Sequence, residues 1–323
     1  MDMRVIDISE IEGIKIGNAQ NEQGGTGCTA IICEKGACAG VDVRGGAPAS
    51  RETELLRPVN MVQQIHCIML SGGSAYGLAA GDGAMTFLEE RGVGFDVGVG
   101  IVPIVCGASL FDLVVGDPKI RPDKEMGYTA CKNAFLNLPL KEGNAGAGTG
   151  AAVGKFLGVE RMMKSGLGIY AARMGNIKCG AVVAVNALGD IVDIDSGKII
   201  AGLMSEDQKK LVGTLDAMYE DIENNRNVFS GNTTIGCVIT NAKLNKDQCA
   251  KLASICHNGY AMAIKPVHTS VDGDTIFVLA TGEHEVAPDS LGAFATEVTA
   301  RAINRAGRLA ESAYGLKSSS DFE

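Results

Sequence analysis

The chain has 323 residues and a formal net charge of −9 at pH 7, which argues against a basic surface for nucleic acid or anionic lipid. Hydrophobic residues make up 46% of the sequence and charged residues 21%, so the chain can form one large core, and we predict a single domain over 1–323. No segment reaches about 18 uninterrupted apolar residues, so we predict no membrane partner.

The N-terminal part predicts strands joined by tight turns. Residues 27–46 contain two apolar runs that meet at 34–36 (Glu-Lys-Gly), a pattern typical of a β-hairpin. The segment 65–92 predicts a strand, a Gly-Gly turn and a helix that continues to Glu90 and stops at Gly92.

The middle of the chain alternates between short apolar runs, loops and helical patterns. A helix is predicted over 205–224, with Ser205 as its N-cap and acidic residues in its first turn. The other elements predicted here are apolar runs between 93 and 115, a loop over 118–122, a short helix over 124–136, and strands over 177–186 and 191–195.

The C-terminal part follows a polar connector over 224–232. The predicted elements are a strand over 233–242, a helix capped by Asn245 and ended by Gly259, a strand over 275–281, a helix over 288–308 and a frayed end over 318–323. This order of strands and helices favours an α/β fold in which helices cover the sheets around one core.

Ten cysteines are spread along the chain without a C-x-x-C pair, mostly in apolar runs where a free cysteine packs as a small hydrophobic residue. The N-terminal segment is acidic and lacks an apolar core of signal-peptide length. We therefore predict a cytoplasmic protein with reduced thiols.

The stretch 143–155 is the most glycine-dense part of the chain and raises the question of a phosphate-binding loop. The motif G-x-x-x-x-G-K-[ST] fails twice, because Thr149 stands where the first glycine is required and Phe156 follows Lys155. The alternative is close backbone packing. Lys155 itself is either a surface lysine or a partly buried cation whose lowered pKa tunes a neighbouring group.

Metal and serine-hydrolase patterns are weak in this sequence. The four histidines show no metal-ligand spacing, so we predict neither a metal site nor a cofactor. The segment SGGSAYG, 71–77, nearly matches G-x-S-x-G, but its last glycine comes one place late. A glycine-rich turn that opens a helix explains Ser74 better.

Two short patterns each admit a structural and a chemical interpretation. Asp272 and Asp274, in DGD, fit a turn before a strand or a carboxylate pair that orients and polarises a nucleophile. Asn232 and Thr233 fit an ordinary strand start or a self-cleavage site. In the second case the threonine hydroxyl attacks the Asn232 carbonyl, an N-to-O acyl shift forms an ester, and water frees an amine that then serves as base for its own hydroxyl.

Four stretches in the same order resemble the self-cleaving amidases of the L-aminopeptidase/D-esterase group, also called P1 peptidases. These stretches are GGSAYGLAAGDG, GAGTGAAVGK, NTTIGCVITNA and PVHTSVDGDTIFVLATG. The group includes β-aminopeptidases and the 6-aminohexanoate-oligomer (nylon oligomer) hydrolases, which are closest in the Thr and DGD pattern. The resemblance extends from about Ile14 to Gly282.

The resemblance implies a four-layer αββα sandwich of the N-terminal-nucleophile-hydrolase type. It places the self-cleavage between Asn232 and Thr233, giving an α piece of residues 1–232 and a β piece of residues 233–323. It makes Thr233 the nucleophile, and it implies a homo-oligomer, a tetramer of αβ units.

Five further residues acquire roles from the same resemblance. Asp272 and Asp274 match the acidic pair, Lys155 the lysine near the nucleophile, and Asn186 the asparagine that supports the oxyanion. Tyr76 lies in an element that resembles a pocket-lining stretch. The β-aminopeptidases have a serine where Asp272 stands and begin the β piece with serine, so their substrate preferences do not transfer as a set.

The implied function is an amidase that acts on short peptides or ω-amino amides. One alternative is acyl transfer of the ornithine-acetyltransferase type, in which an amine takes the acyl group in place of water. Another is a binding protein that never matures into two pieces.

Overall fold

The computed structural model of the chain describes residues 3–136, 138–224 and 231–322. The predicted connector over 224–232 therefore lies mostly outside the described residues. The helices in the described ranges are α1 Ala80–Glu89, α2 Lys124–Phe135, α3 Thr214–Glu220, α4 Lys246–Ala263 and α5 Pro288–Arg308. The strands are β1 Arg4–Val5, β2 Lys15–Asn21, β3 Thr26–Val43, β4 Ser50–Arg51, β5 Ile65–Ser71, β6 Phe95–Asp96, β7 Ile101–Val102, β8 Val105–Ser109, β9 Ala152–Val153, β10 Met163–Lys164, β11 Leu167–Met174, β12 Ile177–Asn186, β13 Asp190–Val192, β14 Ile199–Ala201, β15 Thr233–Ala242, β16 Ile264–Lys265 and β17 Thr275–His284.

Two sheets share the long strand β3. The first sheet has the order β1-β11-β12-β15-β17-β3 and uses the second half of β3, which pairs antiparallel with β17. The second sheet has the order β2-β3-β5-β8-β4 and uses the first half of β3. The parallel strands β15 and β17 lie inside the first sheet, between β12 and β3.

Three buried clusters separate four layers of secondary structure. Ile31, Ile235 and Phe277 belong to the cluster between the two sheets. Val238 points to the opposite face of β15, where α4 and α5 cover the first sheet. Phe87 belongs to the cluster under α1 and α2, which cover the second sheet. The predicted four-layer αββα sandwich is thus confirmed.

The β-hairpin predicted over 27–46 is wrong, because β3 continues from Thr26 to Val43 as one strand. Gly36 has a φ of +78°, and the register against β5 shifts between Ile32 and Ala37. The glycine allows a local bend at this irregularity, which carries the strand from one sheet into the other.

The helix predicted over 205–224 is also wrong in its first half. Ser205 does not cap a helix, since its hydroxyl accepts from the Lys209 amide within a turn. The helix begins only at Thr214, whose backbone N–H and hydroxyl donate to the buried carboxylate of Asp190 at 2.5 and 2.6 Å. A tertiary contact therefore fixes the start of α3.

The C-terminal end is ordered where fraying was predicted. Ser318 and Ser319 are buried, and a reciprocal pair of capping bonds links Ser318 to Asp321. Each of the ten cysteines is a free thiol, and all but Cys38 are buried. None of the helices in the described ranges combines the length and apolar character needed to cross a bilayer.

Candidate active site

The Asn232–Thr233 bond lies at the start of β15, inside the first sheet. Across one side of β15, Thr233 pairs with Asn186, the last residue of β12. On the other side, Asn232 forms a parallel bridge with Asp272, just before β17. The strand register therefore brings three distant chain segments to one buried bond.

The carbonyl oxygen of Asn232 is held from two sides. The Gly273 backbone N–H donates to it at 2.9 Å, and the Thr233 hydroxyl donates to it as well. A Cβ at Gly273 would lie 2.7 Å from Thr233 Oγ1 and 2.8 Å from Ala47 O, so only glycine allows this close approach. A fixed backbone donor thus polarises the carbonyl group beside the hydroxyl.

Lys155 is a buried cation next to this bond and not a surface lysine. Its ammonium group donates to Oδ1 and O of Asn186 at 2.6 and 3.1 Å and to Gly231 O at 3.4 Å. Burial lowers the pKa of Lys155 to about 7, although the charges of Asp272 and Asp112 act in the opposite direction. Both protonation states are accessible near neutral pH, so this lysine can exchange a proton.

The side-chain amide of Asn186 organises the lysine. Its Oδ1 accepts from Lys155 and from the Ala152 N–H at 3.0 Å, while its Nδ2 donates to Phe111 O at 2.8 Å. One of the two N–H groups of the amide is thus engaged by Phe111.

Asp272 lies between two loops beside the cluster. Its carboxylate accepts from the Leu188 N–H at 3.3 Å and from the N–H and hydroxyl groups of Thr269. Burial, together with the negative charge of Asp274, raises the pKa of Asp272 to about 6. This carboxyl group therefore titrates much closer to neutrality than an exposed aspartate.

Asp274 is fully buried and uses both carboxylate oxygens as acceptors. Oδ1 accepts from the Thr234 N–H at 2.8 Å, and Oδ2 accepts from the His268 backbone N–H at 3.0 Å and from its Nδ1 at 2.8 Å. The carboxylate thus connects the second residue of β15 to the loop that precedes DGD.

Tyr76 stands apart from this cluster. Its side chain is 63% exposed, and the Arg121 guanidinium lies 3.9 Å from the centre of its ring. The same element still reaches the cluster through Gly73, whose N–H donates to Asp112 Oδ1 at 2.6 Å. Asp112 directly follows Phe111, whose carbonyl accepts from the Asn186 amide.

The sequence patterns missed three neighbours of the predicted site residues. Gly273 was visible only as the middle letter of DGD, and His268 carried no spacing signal. Asp112 did carry one, because it is an isolated acid in the apolar run 109–115. It is buried, it accepts from Thr26 Oγ1 at 2.6 Å, and burial raises its pKa to about 6.

Two adjoining clefts lie elsewhere on the molecule. One has a volume of about 810 Å³ and the other about 710 Å³, and Ile16 and Leu138–Leu140 line both. None of the predicted site residues lines either cleft. The candidate site is therefore defined by its chemistry and not by a large cavity.

Comparisons of sequence show the family to which the chain belongs. The family model for Peptidase family S58 matches residues 7–320. An uncharacterised aminopeptidase of Mycobacterium leprae is 35% identical over 96% of this chain and 92% of its own length. A 6-aminohexanoate-oligomer endohydrolase of Agromyces sp. is 30% identical over 93% of this chain and 85% of its own length.

A comparison of structures supports the fold. The L-aminopeptidase D-Ala-esterase/amidase of Ochrobactrum anthropi has a TM-score of 0.69 at 18% identity, over 94% of this chain and 86% of its own. That protein is described as a variant of the Ntn hydrolase fold, so the two chains share this architecture.

Proposed function

The chain belongs to peptidase family S58 and is a hydrolase of amide bonds, and on this premise we propose that it is a self-processing amidase whose nucleophile is Thr233. The precursor cuts its own chain between Asn232 and Thr233. The new N-terminal threonine then hydrolyses amide bonds through an acyl-enzyme. The observation that carries the proposal is the buried Asn232 carbonyl, which the Gly273 N–H holds beside the threonine hydroxyl.

Self-cleavage begins when the Thr233 hydroxyl oxygen attacks the Asn232 carbonyl carbon and its proton passes to a base. The negative charge develops on the oxygen that already accepts from Gly273, and one such donor contributes about 2.7–4 kcal/mol to transition-state stabilisation. Collapse breaks the C–N bond and leaves an ester on the hydroxyl and a free amine. Water then hydrolyses the ester, so Asn232 ends as a carboxylate and the hydroxyl is regenerated.

Lys155 is assigned to the proton transfers of this step, because Thr233 has no free amine before the cut. Its pKa of about 7 allows it to accept the hydroxyl proton and to return a proton to the departing nitrogen. Asn186 keeps the lysine in place. Its Nδ2 carries two N–H groups and donates one of them to Phe111 O, so the second is assigned to the oxyanion, as the family resemblance implies.

In the mature enzyme, the Thr233 amine has a reference pKa of about 7.7–8.0 and serves as base for its own hydroxyl. The hydroxyl oxygen attacks the substrate carbonyl, the amine product leaves, and water releases the acid from the acyl-enzyme. Asp272 and Asp274 supply negative charge beside the new amine and orient it.

The two pieces, 1–232 and 233–323, stay together after the cut because their strands alternate in one sheet. β15 and β17 of the second piece lie between β12 and β3 of the first. Separation of the pieces exposes the apolar cluster between the two sheets. The assembly of αβ units into tetramers remains a prediction from the family resemblance.

The proposed substrates are short peptides and ω-amino amides. This proposal rests on the names of the relatives, which include aminopeptidases and 6-aminohexanoate-oligomer hydrolases. Tyr76 is proposed to contact the substrate, since its ring is exposed three residues after Gly73, which bonds to the cluster.

Thr233→Ala tests the proposal directly. We expect this variant to remain one chain of 33.5 kDa without activity, because the attacking hydroxyl is gone while a small side chain still fits the site. The matched control Thr233→Ser keeps the hydroxyl and should be cut. Intact-mass measurement and N-terminal sequencing should show a smaller wild-type piece that begins with TTIGCV.

Activity is measured as release of free amine from a 6-aminohexanoate oligomer and as release of ammonia from an amino-acid amide. A wild-type chain that stays whole, or an Ala variant that is cut at the same bond, overturns the proposal. Transfer of the acyl group to an added amine, with little free acid formed, identifies an acyltransferase instead.

A further inference from the structure

His268 contacts the candidate site although it has no role in the mechanism above. Its imidazole Nδ1 and its backbone N–H both donate to Oδ2 of Asp274, at 2.8 and 3.0 Å. The other oxygen of this carboxylate accepts from the Thr234 N–H at 2.8 Å. One carboxylate therefore connects His268 to the peptide group that follows Thr233.

The imidazole packs against two rings of α4. Its ring centre lies 4.7 Å from that of His257, edge to face, and 6.1 Å from that of Tyr260, in a stacked arrangement. Nε2 is buried and has no hydrogen-bond partner among the described residues. The bond from Nδ1 to Asp274 is thus the contact that uses the polarity of the ring.

The backbone at His268 is strained. Its φ is +58°, in the left-handed region that non-glycine residues rarely adopt. Such strain persists where the surrounding structure fixes it and is concentrated at functional sites. Here the strained residue directs two donors at one oxygen of Asp274.

We propose that His268 is a positioning residue that fixes Asp274 and, through the Thr234 N–H, the direction in which Thr233 presents its hydroxyl. This inference rests on the proposed function. Without the imidazole donor, the buried carboxylate loses one of three bonds and can turn away from Thr234. A bond of this kind to a charged group corresponds to about tenfold to a hundredfold in rate.

The test compares variants that suit a positive φ. His268→Asn keeps a donor at the position of Nδ1, and His268→Gly removes it; both residue types tolerate the left-handed region. Cleavage is followed by gel after a pulse of cell-free synthesis, and kcat and KM are measured on the mature protein. We expect the Gly variant to be cut at least tenfold more slowly and to lose kcat at unchanged KM, and the Asn variant to restore both rates to near wild type.

His257→Ala is the matched control. It opens a similar gap in the same aromatic group but leaves every donor to Asp274 in place, so the folded protein should be cut at the wild-type rate. If the Gly variant does not fold, His268→Leu, which has the shape of Asn without the donor, takes its place in the comparison with Asn.

Three results overturn the inference. The first is a folded donor-free variant that matures and turns over at the wild-type rate. The second is an Asn variant that is as slow as the donor-free one. The third is a wild-type chain that is never cut. In that case the proposed function fails as well, and the wild-type sample alone identifies this outcome.

Discussion

The charged side chains around Thr233 are buried, and each depends on a defined set of partners. Asp274 accepts at both oxygens, with the Thr234 N–H on one and two His268 donors on the other. Lys155 places its ammonium protons on three oxygens. A buried ion with such partners is costly to change, because the partner groups lose their bonds as well.

Asp274→Asn should reduce activity by at least a hundredfold while the protein remains folded. Both oxygens of the Asp274 carboxylate accept from N–H groups. An asparagine amide replaces one of these oxygens by an NH₂ group, which cannot accept. In either orientation the NH₂ group therefore faces another donor. The result is checked by kcat/KM and by the near-UV circular dichroism of the same sample.

Asp190→Asn serves as the control for this change. Asp190 is another buried carboxylate that accepts only N–H and hydroxyl groups, from Leu203 and Thr214. The control should lose stability and keep its turnover per folded molecule. Equal losses of activity and folding in the Asp274 variant would show that DGD is only a turn.

At this scale, the sequence indicated the candidate residues only through the order of four motifs. Lys155 alone did not reveal whether it was exposed or buried, because burial depends on the strands that surround it. Gly273 and His268 could not be found, since a backbone N–H and a loop histidine leave no periodic signal. The geometry of β12, β15 and β17 is what brings these groups together.

Among the secondary-structure elements, long runs with a clear period were predicted well. The predicted strands over 177–186 and 233–242 and the helix over 288–308 coincide with β12, β15 and α5. α4 was predicted to stop at Gly259 but continues to Ala263. That glycine serves close packing, because a Cβ there would lie 2.6 Å from Thr296 O in α5.

The wrong elements share a cause that lies outside their own sequence. Gly36 bends β3 without ending it, because the two halves of β3 pair with strands of two different sheets. The helix expected from Ser205 starts late because a buried aspartate holds Thr214. Tertiary contacts thus override local turn and capping signals.

Gly127→Ala should destabilise the pair of helices α1 and α2. A Cβ at Gly127 would lie 1.9 Å from Ala80 O, so the two helix backbones must separate. Overpacking of this kind costs about 1–3 kcal/mol, more than the roughly 1 kcal/mol that alanine gains over glycine within a helix. Urea denaturation should show a lower midpoint.

Gly292→Ala in α5 is the matched control. Its nearest neighbour is the flexible side chain of Ile255, at 3.1 Å, so we expect the helix-forming tendency of alanine to leave stability unchanged or slightly raised. A Gly127 variant as stable as this control would show that the helices α1 and α2 can separate without cost.

On the scale of the whole molecule, Lys164 is a buried lysine with no carboxylate bonded to it among the described residues. Lys164 donates to the backbone oxygens of Gly148, Ala151 and Ser165, and burial lowers its pKa to about 7. Together with Lys155 it places two cations of low pKa inside one folded unit. Lys155 belongs to the glycine-rich stretch 143–155, and Lys164 contacts two of its residues.

The two lysines should therefore contribute a free energy of unfolding that rises between about pH 7 and about pH 8.5. In the folded state both lysines have a pKa of about 7, well below the value of about 10.4 in an unfolded chain, so the unfolded chain binds more protons in this window. Each lysine adds at most about 1.4 kcal/mol per pH unit. Asp112 and Asp272, with pKa values raised to about 6, lower stability only as the pH rises from about 4 to about 6.

The measurement uses urea denaturation of the Thr233→Ala chain, so that a single polypeptide unfolds. Unfolded thiols, with a pKa of about 8.5, already lose protons within this window and oppose the trend, so the lysine contribution is measured as a difference between two chains that carry the same ten thiols. Lys164→Met in the same background is the second chain: it keeps most of the length of the side chain without the charge, so the difference in the free energy of unfolding between the two chains should change by up to about 1.4 kcal/mol per pH unit. An unchanged slope in that variant would mean that Lys164 keeps its proton throughout this range, and the buried cation would then have to be stabilised more strongly than by its three backbone carbonyls.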